Sequence, residues 1–469
     1  MNISLLGYIV IPFGIVCFFL KRKYLYWVSI FSAVFFGLDV AYFPSITFHL
    51  KVPYFFLILL ITKEIFDISI TNRRFKKPSR AQLYLILFLV VAGLSLIMPV
   101  IINGTDFALS VEMQLDSFTL EPIMLSRVNI TQYLYLVVFC TVFFVLCQHL
   151  ISFERILRTV KVLILMSLLL LFTGFFHQGM QIFGKEGTLK SLYAFCGIKI
   201  RAYTAFGFPR MSSISGEPSV TVLYLLMGIC ILLPQVVRNR YIYLTRGMTY
   251  FFIMLLVIGL LLSGSTTGFL SIITIFILFL WRALAIPLSR MARYIKMLIF
   301  SVIPLLLSVY ILKYVAGIDM VSYIQNLHVG KIVDLTQSGL PRWRAISYGW
   351  ELFTRHPILG TGFGSANVPS SIVALLANIG ILGTYFFILF NITLLVKCYK
   401  LARRKDTLGC IAESLFLANV SYLIVCSIAH TLTMLILPIF WIVLAVLYSL
   451  CHTCDLTPKT DPVLSQAQV

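Results

Sequence analysis

The chain has 469 residues, of which 60% are hydrophobic and only 12% charged, against about a quarter charged in an ordinary soluble domain. A mean hydropathy of +0.98 excludes a water-soluble globular enzyme, because a fold of this size has too little interior to hide so much apolar surface. The uninterrupted apolar runs also exclude an outer-membrane barrel, whose strands alternate with period two in short segments. The net charge of +20 has to be read loop by loop, since cytoplasmic loops of membrane proteins collect Lys and Arg.

Apolar windows of membrane-spanning character fall near 3–20, 24–43, 52–70, 81–101, 132–150, 160–176, 218–235, 248–263, 267–281, 297–316, 371–396, 408–429 and 434–450. They predict an all-α polytopic integral membrane protein with about 12–13 transmembrane helices. The first window lacks a basic leader and a small-residue cleavage site, so it reads as an uncleaved span. Basic clusters around 21–23, 73–80, 155–161, 238–246, 282–296 and 397–405 alternate with the other loops. By the positive-inside rule this puts the N-terminus outside and the C-terminus inside. Three long outer loops are then expected at about 102–131, 177–217 and 317–370. Residues 1–454 read as a single transmembrane helical domain and 455–469 as a polar cytoplasmic tail.

Ionisable residues within the spans are few: Asp39, Lys63, Glu64, Asp67 and Glu413. Pumps and ion-coupled transporters place charged relays at mid-membrane, so chemistry is expected in the outer loops instead. Of the ten cysteines only Cys196 falls in an outer loop, and Cys451 with Cys454 lacks the second pair of a zinc site. No disulfide, metal or cofactor is expected.

The loop between His177 and Ser219 carries Lys185, Lys190, Lys199, Arg201 and Arg210 against only Glu186 and Glu217. Basic groups facing outward suit an anionic substrate. Arg210 opens a compact phrase through Ser212, Ser213, Ser215, Gly216, Glu217, Pro218 and Ser219 that runs into the next span. Pro at the first helical position and Gly before it predict a tight entry into a helix. Arginine, serines and a helix N-terminus make a candidate phosphate cradle, and Glu217 reads either as a general base or as a cap. In the third outer loop, Ile346, Trp350 and Phe353 fall at helical spacing and predict an amphipathic interfacial helix with Arg342 near its start. Its Trp343 fits either sugar stacking or the interfacial aromatic belt. Gly360, Gly362 and Gly364 follow a helix rather than a strand, so they predict a turn into the next span and not a dinucleotide fingerprint.

The phrases Arg210 to Ser219, Leu262 to Gly268, Arg342 to Ser365 and Leu376 to Gly383, in this order, resemble those of the O-antigen polymerase and O-antigen ligase superfamily of bacterial inner-membrane proteins. The resemblance implies a GT-C-like fold with large periplasmic loops. It also implies metal-independent glycosyl transfer from an undecaprenyl-pyrophosphate-linked oligosaccharide, with a chain-length regulator as a candidate partner. In that family an arginine in each of two periplasmic loops is functional; by position these look like Arg210 and Arg342, with Arg201 and Arg344 as rivals. Glu217 and His356 are the candidate bases, and Arg201, Arg344, Trp343, Ser219 and Gly360 the candidate substrate contacts. Family ligases carry a His-Asn pair where this chain has Pro369 and Ser370, which favours the polymerase. An O-antigen ligase acting on lipid A core, and a lipid-linked oligosaccharide flippase or other transporter, are the alternatives.

Overall fold

The structure is a computed structural model that describes residues 2–43, 48–71, 77–112, 117–195, 204–205, 208–284 and 340–453. The span expected near 297–316, the tail, Lys199 and Arg201 lie outside the described residues.

The chain is a mostly helical membrane protein. It opens with β1 (Asn2–Ile3), α1 (Gly7–Phe19), α2 (Arg22–Ser32), β2 (Asp39–Phe43), β3 (Phe48–Lys51) and α3 (Val52–Thr71). Then follow α4 (Arg80–Ser95), α5 (Met98–Ile102), the hairpin β4 (Phe107–Glu112) and β5 (Ser117–Pro122), α6 (Arg127–His149) and α7 (Phe153–Ile182). Beyond them lie α8 (Glu186–Phe195), the short strands β6 (Thr204–Ala205) and β7 (Phe208–Pro209), α9 (Pro218–Arg238), α10 (Arg246–Leu262) and α11 (Thr266–Leu284). The described chain closes with α12 (Leu340–Arg355), α13 (Ser371–Ala402), α14 (Thr407–Ala429) and α15 (Pro438–Thr453). Among the described residues six segments are long and apolar enough to cross a membrane: Arg80–Ile102, α6, α7, α9, α13 and α14.

Caps fix where these helices begin. Ser79 with Gln82 and Ser126 with Asn129 form capping boxes at α4 and α6, and Ser152 and Asp406 cap α7 and α14. Helix α9 is the axis of the bundle, buried all round from Val220 to Leu232. A helix apolar on every side has to lie inside a ring of others, and α7, α10 and α14 surround it.

The expected helical architecture is present, with three small antiparallel sheets beside the helices. The structure corrects one expectation. The apolar window 24–43 is not one span: its helix stops at Ser32, a tight turn covers Ala33–Phe35, and Asp39–Phe43 pairs with Phe48–Lys51. At 1.5 Å per residue α1 and α2 reach only about 20 and 17 Å, short of the ~30 Å apolar layer. Gly37 enforces the change of direction, because a Cβ there would lie 2.4 Å from the Ile214 carbonyl oxygen. Helix α6 begins at Arg127 and α7 runs on to Ile182, inside segments expected as loops.

Charged groups collect at the two ends of the bundle. At one end Arg22 on α2 pairs with Glu64 on α3 and bonds His149 of α6 at 2.6 Å. At the same end Arg238 pairs with Glu413 and bonds the carbonyl oxygens of Ala402 and Arg404. At the other end lie the β-sheets, the start of α9 and helix α12.

Helix α13 is broken at Gly380, whose φ of 62° and ψ of −168° are closed to side-chain-bearing residues. The chain from Pro357 to Ala366 lies against the break and takes over its hydrogen bonds. Thr361 N donates to Ala377 O at 2.8 Å and Gly362 N to Asn378 O at 2.9 Å, while Ile381 N donates to Pro357 O at 2.8 Å. Asn378 exchanges bonds with both the N–H and the carbonyl of Ala366. Irregular backbone is tolerated inside a membrane protein where its polar groups are satisfied in this way. Gly360 and Gly380 permit the approach: a Cβ on either would meet the opposing backbone at 2.4 and 2.2 Å.

Candidate functional site

The phrase from Arg210 to Ser219 folds as a self-bonded loop over the start of α9. Met211 N donates to Leu262 O at 3.1 Å and Arg210 Nε to Ser263 O at 3.4 Å, fixing the loop to the turn between α10 and α11. Ser212 Oγ bonds His177 Nδ1 at 2.9 Å. Ser213 and Ser215 bond Thr221 Oγ1 at 2.8 and 2.7 Å. All three serines are buried, and their hydroxyls hold the loop in shape. Gly216, at φ +80°, makes the tight entry that the sequence predicts, and Pro218 takes the first helical position.

Glu217 stands at the N-cap of α9, exposed, with its Oε1 accepting the Ser219 hydroxyl at 2.8 Å. Two cations face it. Lys51, at the end of β3, donates to Phe36 O at 3.1 Å and lies 4.2 Å above the Phe36 ring. Burial pulls its pKa below the usual lysine range, while Asp39 and Glu217 pull it back up. Arg342, in the first turn of α12, feels the same carboxylate: desolvation lowers its pKa and Glu217 opposes the shift. Arg342 in turn acts on His430, the buried residue that closes α14; burial first and the guanidinium second hold this imidazole down to about 4. Residues remote in sequence thus act on one another electrostatically at one end of the bundle, toward the positive end of the axial helix.

The remaining candidates lie around this cluster or apart from it. Trp343 and Arg344 follow Arg342 on α12 and are exposed. Gly360 is buried at the break in α13 and shapes backbone. His356 is held by Asp106, its Nε2 2.7 Å from Oδ2, and Arg355 Nη1 donates to the other oxygen at 2.6 Å. The His356 hydrogen bond is the largest of the influences by which His356 and Arg355 lower the Asp106 pKa below the usual carboxylate range. This arrangement latches α12 to the base of the β4–β5 hairpin. Among the described residues no three His, Cys, Asp or Glu side chains stand together as a metal site.

Sequence reasoning missed Lys51, His430 and Asp106. Lys51 flanks the apolar window 52–70, and His430 stands between the windows 408–429 and 434–450. The available signal was that both sit where an outer loop meets a span. No family model matches the chain, and no curated protein matches it.

Proposed function

We propose that the chain is a glycosyltransferase of the O-antigen polymerase type, a GT-C-like enzyme of about thirteen spans in the bacterial inner membrane. It joins undecaprenyl-pyrophosphate-linked oligosaccharide repeats at the periplasmic face. The observation that carries the reading is the convergence of Arg342, Lys51 and Glu217 at the N-terminus of α9, beside the loop bearing Arg210. This end of the bundle lies opposite the basic turns at Arg22 and Arg238, which the positive-inside rule assigns to the cytoplasm.

In such a reaction the bond from the anomeric carbon to the pyrophosphate breaks, and negative charge grows on the leaving group at the edge of a low-dielectric layer. Arginine suits this step because it stays charged and binds phosphate through two parallel donors. Arg342 is exposed in the first turn of α12, where it is open to an incoming diphosphate. Lys51 adds a second positive charge across Glu217, and Arg210, braced against the Ser263 turn, supplies a third from the far end of the loop. Exposed Trp343 and Arg344 extend the same face toward the glycan.

The test is the glycan carried by a deletion strain and its complemented variants. Single repeats on lipid A core are expected in the deletion, with Arg210→Ala and Arg342→Ala failing to restore polymer although inserted normally. Absence of any attached repeat would instead indicate a ligase or a flippase. Normal long chains from both variants would overturn the site.

A further inference from the structure

Asp39 and His49 meet across the β2–β3 hairpin, with His49 Nδ1 2.8 Å from Asp39 Oδ2. Strand register explains the contact. Tyr42 pairs with His49, Ala41 with Leu50 and Asp39 with Lys51, so Val40 is an extra residue in β2. In an unbroken strand Asp39 and Tyr42, three positions apart, would point to opposite faces. The bulge turns Asp39 onto the face of Tyr42, His49 and Lys51, while Val40 and Ala41 stay buried. The His49 ring lies over that of Tyr42 with centroids 4.4 Å apart, and the Tyr135 hydroxyl donates to the His49 carbonyl oxygen at 3.3 Å. An ionised carboxylate can only accept, so Nδ1 carries the proton and Nε2 keeps its lone pair. The His49 side chain is 47% exposed and therefore open to a substrate.

Contacts tie this pair to the loop that enters α9. Lys51 follows His49 by two positions on the same face of β3, about 7 Å along the strand. Its Nζ donates to Phe36 O at 3.1 Å. The next residue, Gly37, is pressed against Ile214, Ser215 and Gly216, directly before Glu217.

We propose that His49 is the proton acceptor for the sugar hydroxyl that attacks beside Lys51 and the Glu217 loop, with Asp39 as its positioning residue. This rests on the glycosyl-transfer reading above. A diphosphate on Lys51 carries its anomeric carbon one oxygen atom beyond the phosphorus, which puts the attacking hydroxyl within reach of His49. The acceptor oxygen bonds to that carbon as the bond from the carbon to the diphosphate oxygen breaks. The electron pair leaves on the phosphate, and the hydroxyl proton passes to His49 Nε2. Asp39 holds the ring in the correct tautomer and stabilises the imidazolium until water removes the proton. His356 also has a carboxylate partner, but its Asp106 is shared with Arg355 and ties α12 to the β4–β5 hairpin.

The experiment uses the full chain in lipid nanodiscs, with undecaprenyl diphosphate as the binding probe. Lipid-linked repeats extracted from the deletion strain serve as donor and acceptor. His49→Gln, which keeps a polar side chain but takes no proton, is expected to bind the probe like the wild type and to lose turnover by about 10²–10⁴-fold. Asp39→Asn is expected to lower kcat and leave KM for the acceptor unchanged. Added imidazole is expected to restore part of the turnover of His49→Ala and none of that of Arg342→Ala. Turnover of His49→Gln close to wild type, absence of imidazole rescue, or loss of probe binding together with turnover overturns the assignment and leaves the glycosyl-transfer reading standing. Wild-type protein that neither binds the probe nor elongates repeats overturns that reading itself.

Discussion

The Arg342 guanidinium and the Glu217 carboxylate, carried by helices far apart in the chain, act on each other electrostatically without closing a salt bridge among the described residues. Both side chains are exposed, which leaves both charges available to a third partner. Replacing Arg342 by Ala is expected to lower the rate of polymer formation by about 10²–10³. Lysine should recover little, because it keeps the charge and loses the two-pronged contact. Gel profiles of extracted polysaccharide, with protein levels matched in membranes, check both.

Glu217 predicts the opposite sign in binding. Its carboxylate competes with an incoming anion for Lys51 and Arg342, so Glu217→Gln should tighten the binding of undecaprenyl diphosphate by about tenfold at low salt. The gain should shrink as ionic strength rises. Titration of nanodisc-embedded protein at two salt concentrations reads this directly, and equal or weaker binding by the variant would contradict the geometry.

The latch made by Asp106, Arg355 and His356 has a defined pH window. Because the folded-state pKa of Asp106 is depressed, its contribution is present above the unfolded carboxylate pKa of about 3.9. It is lost only as pH falls further, through the folded value. The hairpin should stay docked at neutral pH and loosen below about pH 4. Asp106→Asn should reproduce the loosening at pH 7, seen as several-fold faster hydrogen exchange in 107–112, 117–122 and 342–355.

The break in α13 makes Gly380 intolerant of any side chain. With φ at 62° and the Ile358 carbonyl oxygen 2.2 Å from the position of a Cβ, Gly380→Ala should cost about 3 kcal/mol or more. The variant should show a lowered unfolding midpoint in detergent. Alanine at Gly179, where nothing lies within 4 Å, should be silent by comparison.

At the opposite end, Glu413 is buried against Arg238. Glu413→Gln or Arg238→Met alone strands a charge and should destabilise by about 3–5 kcal/mol. The double variant should recover much of that loss, which a thermal-shift cycle of the four proteins measures.

The long apolar runs made most spans legible, and Gly216 followed by Pro218 marked the start of α9. The second window misled because an apolar run from Trp27 to Phe43 does not say whether it is helix or strand; contact with the Ile214 loop at Gly37 decides it. The site was half legible. Arg210, Glu217 and Arg342 stood out as charges in apolar flanks, whereas Lys51 and His430 gain meaning only from what the fold places beside them. For the serines, composition shows hydroxyls but not that Thr221 and His177 bond them. Likewise, Leu376 to Gly383 reads as ordinary helix, and the pairing with Pro357 and Thr361 is invisible in sequence.

The hydrogen bonds that Ile381 and Leu382 would make to their own helix go instead to Pro357 and Ile358. The part of α13 after Gly380 therefore hangs from the segment that follows the helix of Arg342, and the part from Ser371 to Ile379 is tied to the same segment through Thr361 and Gly362, so a shift of that segment pulls on both pieces at once.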